Sequence, residues 1–135
     1  MNKIKNCCII DDDPIFIYGT KRMMKETNFC DSITVFNNGE DALLGLTEML
    51  QVTHELPQVI FLDLNMPIMN GWEFLDEFIK LPNNSLNKTV IYVISSSVDP
   101  RDIEKVKEYE LISNYILKPI TPNDFETILN SQLVQ

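Results

Sequence analysis

The sequence predicts a doubly wound α/β domain, a five-stranded parallel sheet with helices on both faces. Three observations carry this reading. Short apolar runs rich in β-branched residues recur along the chain; helical segments alternate with them; and 135 residues without a repeat or linker fit one ordinary domain. The clearest run is Val59-Ile60-Phe61-Leu62, four large apolar residues that read as a strand buried on both faces and stop abruptly at Asp63. The doubly wound five-stranded arrangement is the natural solution for strands joined by right-handed crossovers; its switch point lies between the first and third strands, and ligands bind at the carboxyl ends.

The elements follow in order. After Lys3 and Lys5, Cys7 to Ile10 is a short strand ending in Asp11-Asp12-Asp13. Asp13-Pro14 starts a helix, since Asp supplies a capping oxygen and Pro tolerates the first helical position. That helix is expected from Pro14 to Asn28, with Phe16, Ile17 and Met24 inward and the pair Met23-Met24 as core filler. Ser32 to Phe36 is the second strand, ending in the turn residues Asn37-Asn38-Gly39.

From Glu40 the pattern is helical through Ala42, Leu43, Leu46, Met49 and Leu50, and Gln51 to Pro57 reads as a polar loop. Beyond the turn at Pro67 to Gly71, Phe74/Phe78 and Leu75/Ile79 form one apolar stripe on a helix ending near Lys80, and Trp72 packs beside it. The loop Pro82-Asn83-Asn84-Ser85 leads to a fourth strand, Thr89 to Ile94, which ends in Ser95-Ser96-Ser97. Asp99-Pro100 repeats the helix-start signal for a helix from Pro100 to Tyr109. Asn114 to Leu117 is the fifth strand, closed by Lys118-Pro119, and Thr121-Pro122 opens a last helix with Phe125, Ile128, Leu129 and Leu133 apolar.

Composition excludes several functions. A formal net charge of −9 argues against direct nucleic-acid or anionic-membrane binding. No apolar run approaches the length of a membrane span or a signal-peptide core, so the expected location is the cytoplasm. The three cysteines, Cys7, Cys8 and Cys30, lack metal-type spacing and read as buried free thiols. His54, the one histidine, lies in a polar stretch and reads as a loop residue.

Acids end strand one, Asp63 ends strand three, a serine ends strand four and a lysine ends strand five. Carboxylates crowded together repel unless a cation sits among them, and oxygen donors without His or Cys select a hard ion such as Mg²⁺ or Mn²⁺. A carboxylate beside such an ion, a lysine and a hydroxyl is equipped to attack a phosphoryl group.

Ile9-Ile10-Asp11-Asp12-Asp13, Phe61-Leu62-Asp63-Leu64-Asn65-Met66-Pro67 with Asn70-Gly71, Ile94-Ser95-Ser96 and Tyr115-Ile116-Leu117-Lys118-Pro119 together resemble the receiver domain of two-component response regulators, in the single-domain form of the chemotaxis receivers. The resemblance covers essentially the whole chain and implies a flavodoxin-like strand order 2-1-3-4-5. It also implies that Asp63 is the phosphoacceptor, that Asp11, Asp12, Asp63 and the backbone carbonyl of Asn65 hold Mg²⁺, and that Lys118 contacts the phosphoryl group. The Lys118-Pro119 bond would be cis. The switch hydroxyl falls on Ser95, with Ser96 as the rival, and Tyr115 matches the switch aromatic. Asn65 and Ser97 occupy positions that tune self-dephosphorylation in the family.

The implied function is that of a stand-alone receiver spanning residues 1–135, without an output domain. A sensor histidine kinase or histidine phosphotransfer protein would phosphorylate it, and a downstream protein would read the face of helix four, strand five and helix five. Such a chain is a phosphoacceptor, not an enzyme beyond self-catalysed phosphorylation and dephosphorylation. The spacing from Asp11 to Asp63 is long for the family, and the extra residues fall in Gln51 to Pro57. Two alternatives are a Mg²⁺-dependent aspartyl-nucleophile phosphatase and a receiver-like interaction module that is never phosphorylated. The phosphatase chemistry wants an Asp where Asn65 stands; the module has no need of three clustered carboxylates.

Overall fold

The computed structural model describes residues 4–82 and 88–133. Among these, strands β1 (Asn6–Ile10), β2 (Ser32–Phe36), β3 (Val59–Asp63), β4 (Val90–Ser95) and β5 (Ile112–Leu117) alternate with helices α1 (Pro14–Glu26), α2 (Gly39–Thr53), α3 (Gly71–Phe78), α4 (Pro100–Val106) and α5 (Pro122–Leu133). All strand pairs are parallel, in the order β2-β1-β3-β4-β5. This is the flavodoxin-like arrangement expected from the sequence. The expected basic residue Lys3 and loop residues Asn83 to Ser85 lie outside the described residues, as does the side chain of Leu133.

Alternation along each strand divides the core into two layers. Cys8, Ile10, Ile60, Leu62, Ile91 and Val93 face α2, α3 and α4, meeting Ala42, Leu46, Phe74, Leu75, Phe78 and Val106. Cys7, Ile9, Val59, Phe61, Tyr92 and Ile94 face α1 and α5, where Met24, Phe125 and Ile128 complete the layer. Phe29, Phe61 and Phe125 lie with ring centroids 4.9 to 6.0 Å apart, in tilted and edge-on arrangements. All five residues of β3 are buried, the four-residue apolar run as its pattern required and Asp63 with it.

Element ends depart from the sequence reading for local reasons. Helix α1 stops at Glu26, not Asn28: the Thr27 hydroxyl donates to Met23 O at 2.9 Å, and Asn28 turns left-handed at φ 55°. Helix α2 runs into the expected polar loop, through Thr53, and ends on His54 at φ 62°. The α3 stripe is shorter than its spacing implies, because Ile79 is the cap residue and is 43% exposed. Helix α4 likewise ends at Val106. Strand β5 begins at Ile112 because its register against β4 slips between Ile91 and Tyr92, leaving Ser113 as the extra residue of a bulge.

Trp72 lies at the seam between α3 and α4. Its ring stacks on Tyr109 with centroids 5.6 Å apart, its indole N–H donates to Asp102 Oδ1 at 3.2 Å, and Lys105 Nζ sits 4.7 Å from the ring centroid. No helix among the described residues is long and apolar enough to cross a membrane.

Candidate functional site

The site is assembled at the carboxyl edge of the sheet. Asp11 directly follows β1, and its N–H continues the ladder by donating to Phe36 O at 3.0 Å. Its side chain is drawn inward and fully buried, where Oδ1 accepts from the Asp13 N–H at 2.9 Å. Asp13 faces the other way and caps α1, accepting from Ile15 N–H at 3.0 Å and Phe16 N–H at 3.3 Å, ahead of Pro14. The middle residue, Asp12, is exposed. Three consecutive acids thus take three roles, set by the turn from strand to helix.

Asp63 is the last residue of β3, paired in register with Ile94 and buried. Its carboxylate accepts from the backbone N–H of Asn65. The chain leaves by a tight turn: Gly71 N–H donates to Leu64 O at 3.0 Å, and Asn70 and Glu73 form a reciprocal capping box at the start of α3. A Cβ at Gly71 would lie 2.7 Å from Asp63 O and 2.9 Å from Leu64 Cα, so only glycine permits this approach.

Carboxylate oxygens of Asp11, Asp12 and Asp63 lie within 4.8 Å of one another. Lys118, carried past β5 into a cis Lys118-Pro119 bond, places Nζ 2.8 Å from Asp11 Oδ2 and 3.9 Å from Asp63 Oδ1. Its backbone N–H donates to Ser95 O at 2.8 Å, tying β5 to β4 at this edge. The ammonium also sits 4.4 Å from the centroid of Phe16, in the first turns of α1. The sequence marked Phe16 as an inward residue only; a platform for Lys118 depends on a contact between distant elements, which helical spacing does not encode.

Burial dominates the electrostatics. It pushes the Asp63 carboxyl up to about 6; the neighbouring Asp11 charge adds to this, and Lys118 and the Asn65 N–H oppose it. Burial likewise raises Asp11, outweighing Lys118 and the Asp13 N–H. Asp11 Oδ2 is buried, with the Lys118 ammonium 2.8 Å away to compensate its charge. A buried carboxylate facing two more at metal-ligand spacing, three negative charges against one lysine, fits a hard divalent cation.

Ser95 closes β4 and is buried, with its Oγ accepting from Ser97 N–H at 3.3 Å; Ser96 is exposed. The half-buried Tyr115 of β5 donates its hydroxyl to Ser97 O at 2.7 Å. Asn65 is exposed on the turn after β3. The structure therefore gathers Asp11, Asp12, Asp63 and Lys118 at one point, and links Tyr115 to the loop after Ser95.

A parallel sheet in this order with an acidic cluster at its switch point defines a flavodoxin-like α/β domain whose candidate site is the carboxyl edge. Residues 7–130 match the response regulator receiver domain, and the chain belongs to that family of two-component signalling domains. It is 32% identical over 116 residues to the nitrate/nitrite response regulator protein NarL of Escherichia coli (strain K12), an alignment covering 86% of this chain and 49% of that one. The chain thus spans about half the length of this relative. Among solved structures, a two component response regulator from Cytophaga hutchinsonii superposes with a TM-score of 0.89 at 32% identity, covering 98% of both chains. A response regulator receiver protein from Dyadobacter fermentans DSM 18053 gives 0.82 at 25% identity, covering 96% of this chain and 98% of that one.

Proposed function

We propose that the domain accepts a phosphoryl group on Asp63, donated by a sensor histidine kinase or a histidine phosphotransfer protein, with Mg²⁺ or Mn²⁺ held by Asp11, Asp12, Asp63 and the backbone carbonyl of Asn65. The observation that carries this reading is the close grouping of the three carboxylates, with Lys118 Nζ reaching toward both Asp11 and Asp63. An Asp63 oxygen attacks phosphorus as the bond to the donor nitrogen breaks, and the donor histidine leaves. Lys118 is placed to compensate charge on the phosphoryl oxygens, and a bound divalent cation would supply further neutralisation.

In this reading Ser95, rather than its exposed neighbour Ser96, turns toward the phosphoryl group, giving up its bond from the Ser97 N–H. The bond from Tyr115 to Ser97 O couples the same loop to β5, so the aromatic ring follows. The face of α4, β5 and α5 then presents a changed surface to a downstream protein. Acetyl phosphate with Mg²⁺ tests the proposal: wild-type protein gains one phosphoryl mass and Asp63→Asn gains none. Full labelling of Asp63→Asn overturns the assignment.

A further inference from the structure

Cys7 and Cys30 form a pair that the carboxylate site does not use. Cys7 is buried in β1, while Cys30 sits on the α1 to β2 connection and is partly exposed. Their sulfurs are 2.9 Å apart, against about 2.05 Å in a bonded pair. The two thiols are not equivalent. Hydrogen bonding between them holds the Cys30 thiol below its ordinary range, with burial and Asp31 opposing, and pushes Cys7 upward together with burial. Cys30 is therefore the more exposed residue of the pair and the one whose thiol ionises more readily, with the Cys7 sulfur 2.9 Å away to respond. Cys8 packs in the opposite core layer.

We infer that Cys7 and Cys30 are a redox pair, forming a reversible intramolecular disulfide when the protein meets a peroxide. The Cys30 thiolate attacks one peroxide oxygen; the O–O bond breaks and the departing hydroxide takes up a proton as water. Cys7 sulfur then attacks the Cys30 sulfenic sulfur, the S–O bond breaks, and a second water leaves with the Cys7 proton. Two thiols are oxidised, one peroxide is reduced to two waters, and a dithiol reverses the step by exchange. The bond closes a loop of 23 positions in the chain that contains all of α1. It ties the far end of that helix to the strand from which Asp11 emerges.

The test treats the full reduced chain with hydrogen peroxide in EDTA, then measures intact mass and counts thiols with a maleimide under denaturing conditions. Wild type and Cys8→Ala are expected to lose two thiols and the mass of two hydrogens, and dithiothreitol restores both. In Cys30→Ser, thiol loss is expected to slow by about tenfold or more. Should Cys8→Ala fail to fold, fragmentation of the wild-type cross-linked peptide between Cys7 and Cys8 assigns the bonded sulfur. A product that gains oxygen without losing two hydrogens, a disulfide-linked dimer, or a cross-link through Cys8 overturns the inference.

Discussion

Replacing Asp63 by asparagine keeps the side-chain volume but removes one negative charge from the cluster of three. Because burial and Asp11 raise the Asp63 carboxyl from 3.8 to about 6, between about pH 4 and pH 6 the folded protein holds a proton that the unfolded chain releases. For a carboxylate shifted in this direction the penalty on folding is absent below the unfolded value, grows as pH rises from about 4 to about 6, and is complete above that window. A shift of about two pH units corresponds to about 3 kcal/mol, part of which the variant forfeits through the buried amide and the altered bond from Asn65. Asp63→Asn is therefore expected to be more stable than wild type by about 2 kcal/mol near neutral pH in EDTA, and by little near pH 4. Urea unfolding followed by circular dichroism reads the difference as a shifted midpoint at constant slope. Millimolar MgCl₂ should stabilise wild type by relieving the same repulsion, and should act far more weakly on the variant. An unchanged midpoint at neutral pH, or an equal gain at both pH values, would refute the picture of a strained acidic cluster.

Three further substitutions separate the roles of neighbouring residues. Lys118→Met removes the cation beside buried Asp11 and Asp63; the metal-free protein should lose about 1–3 kcal/mol in urea unfolding, and labelling by acetyl phosphate should slow at least about tenfold. Asp13→Ala removes the α1 cap at a cost of about 1 kcal/mol, while Mg²⁺ affinity, read by calorimetry, should stay within about twofold because Asp13 points away from the cluster. Gly71→Ala drives a methyl group into the backbone of Asp63 and Leu64 and should cost about 1–3 kcal/mol, with slower phosphorylation from a displaced Asp63.

Much of this was legible in the sequence because buried strands and their charged ends leave plain marks. The apolar run into Asp63, and the change from Cys7-Cys8-Ile9-Ile10 to three acids, mark the working edge. Other features depend on contacts between distant segments. Nothing in the spacing of Phe16 and Lys118 announces a ring under an ammonium, and nothing in that of Cys7 and Cys30 announces adjacent sulfurs. Helix ends leave a weaker mark for a different reason. A Thr hydroxyl and a left-handed Asn or His, not a change in apolar periodicity, terminate α1 and α2. The bulge at Ser113 likewise hid the start of β5.

The position of Trp72 has a practical consequence. It is the chain's only tryptophan, and its indole is held by two residues of α4, Asp102 and Lys105, and by Tyr109 just beyond it. The emission of this one fluorophore therefore records the seating of α4 against α3. A kinetic trace after mixing with a phosphodonor would follow movement of that helix directly, without a label or a partner, and would show whether the rearrangement keeps pace with the chemistry at Asp63.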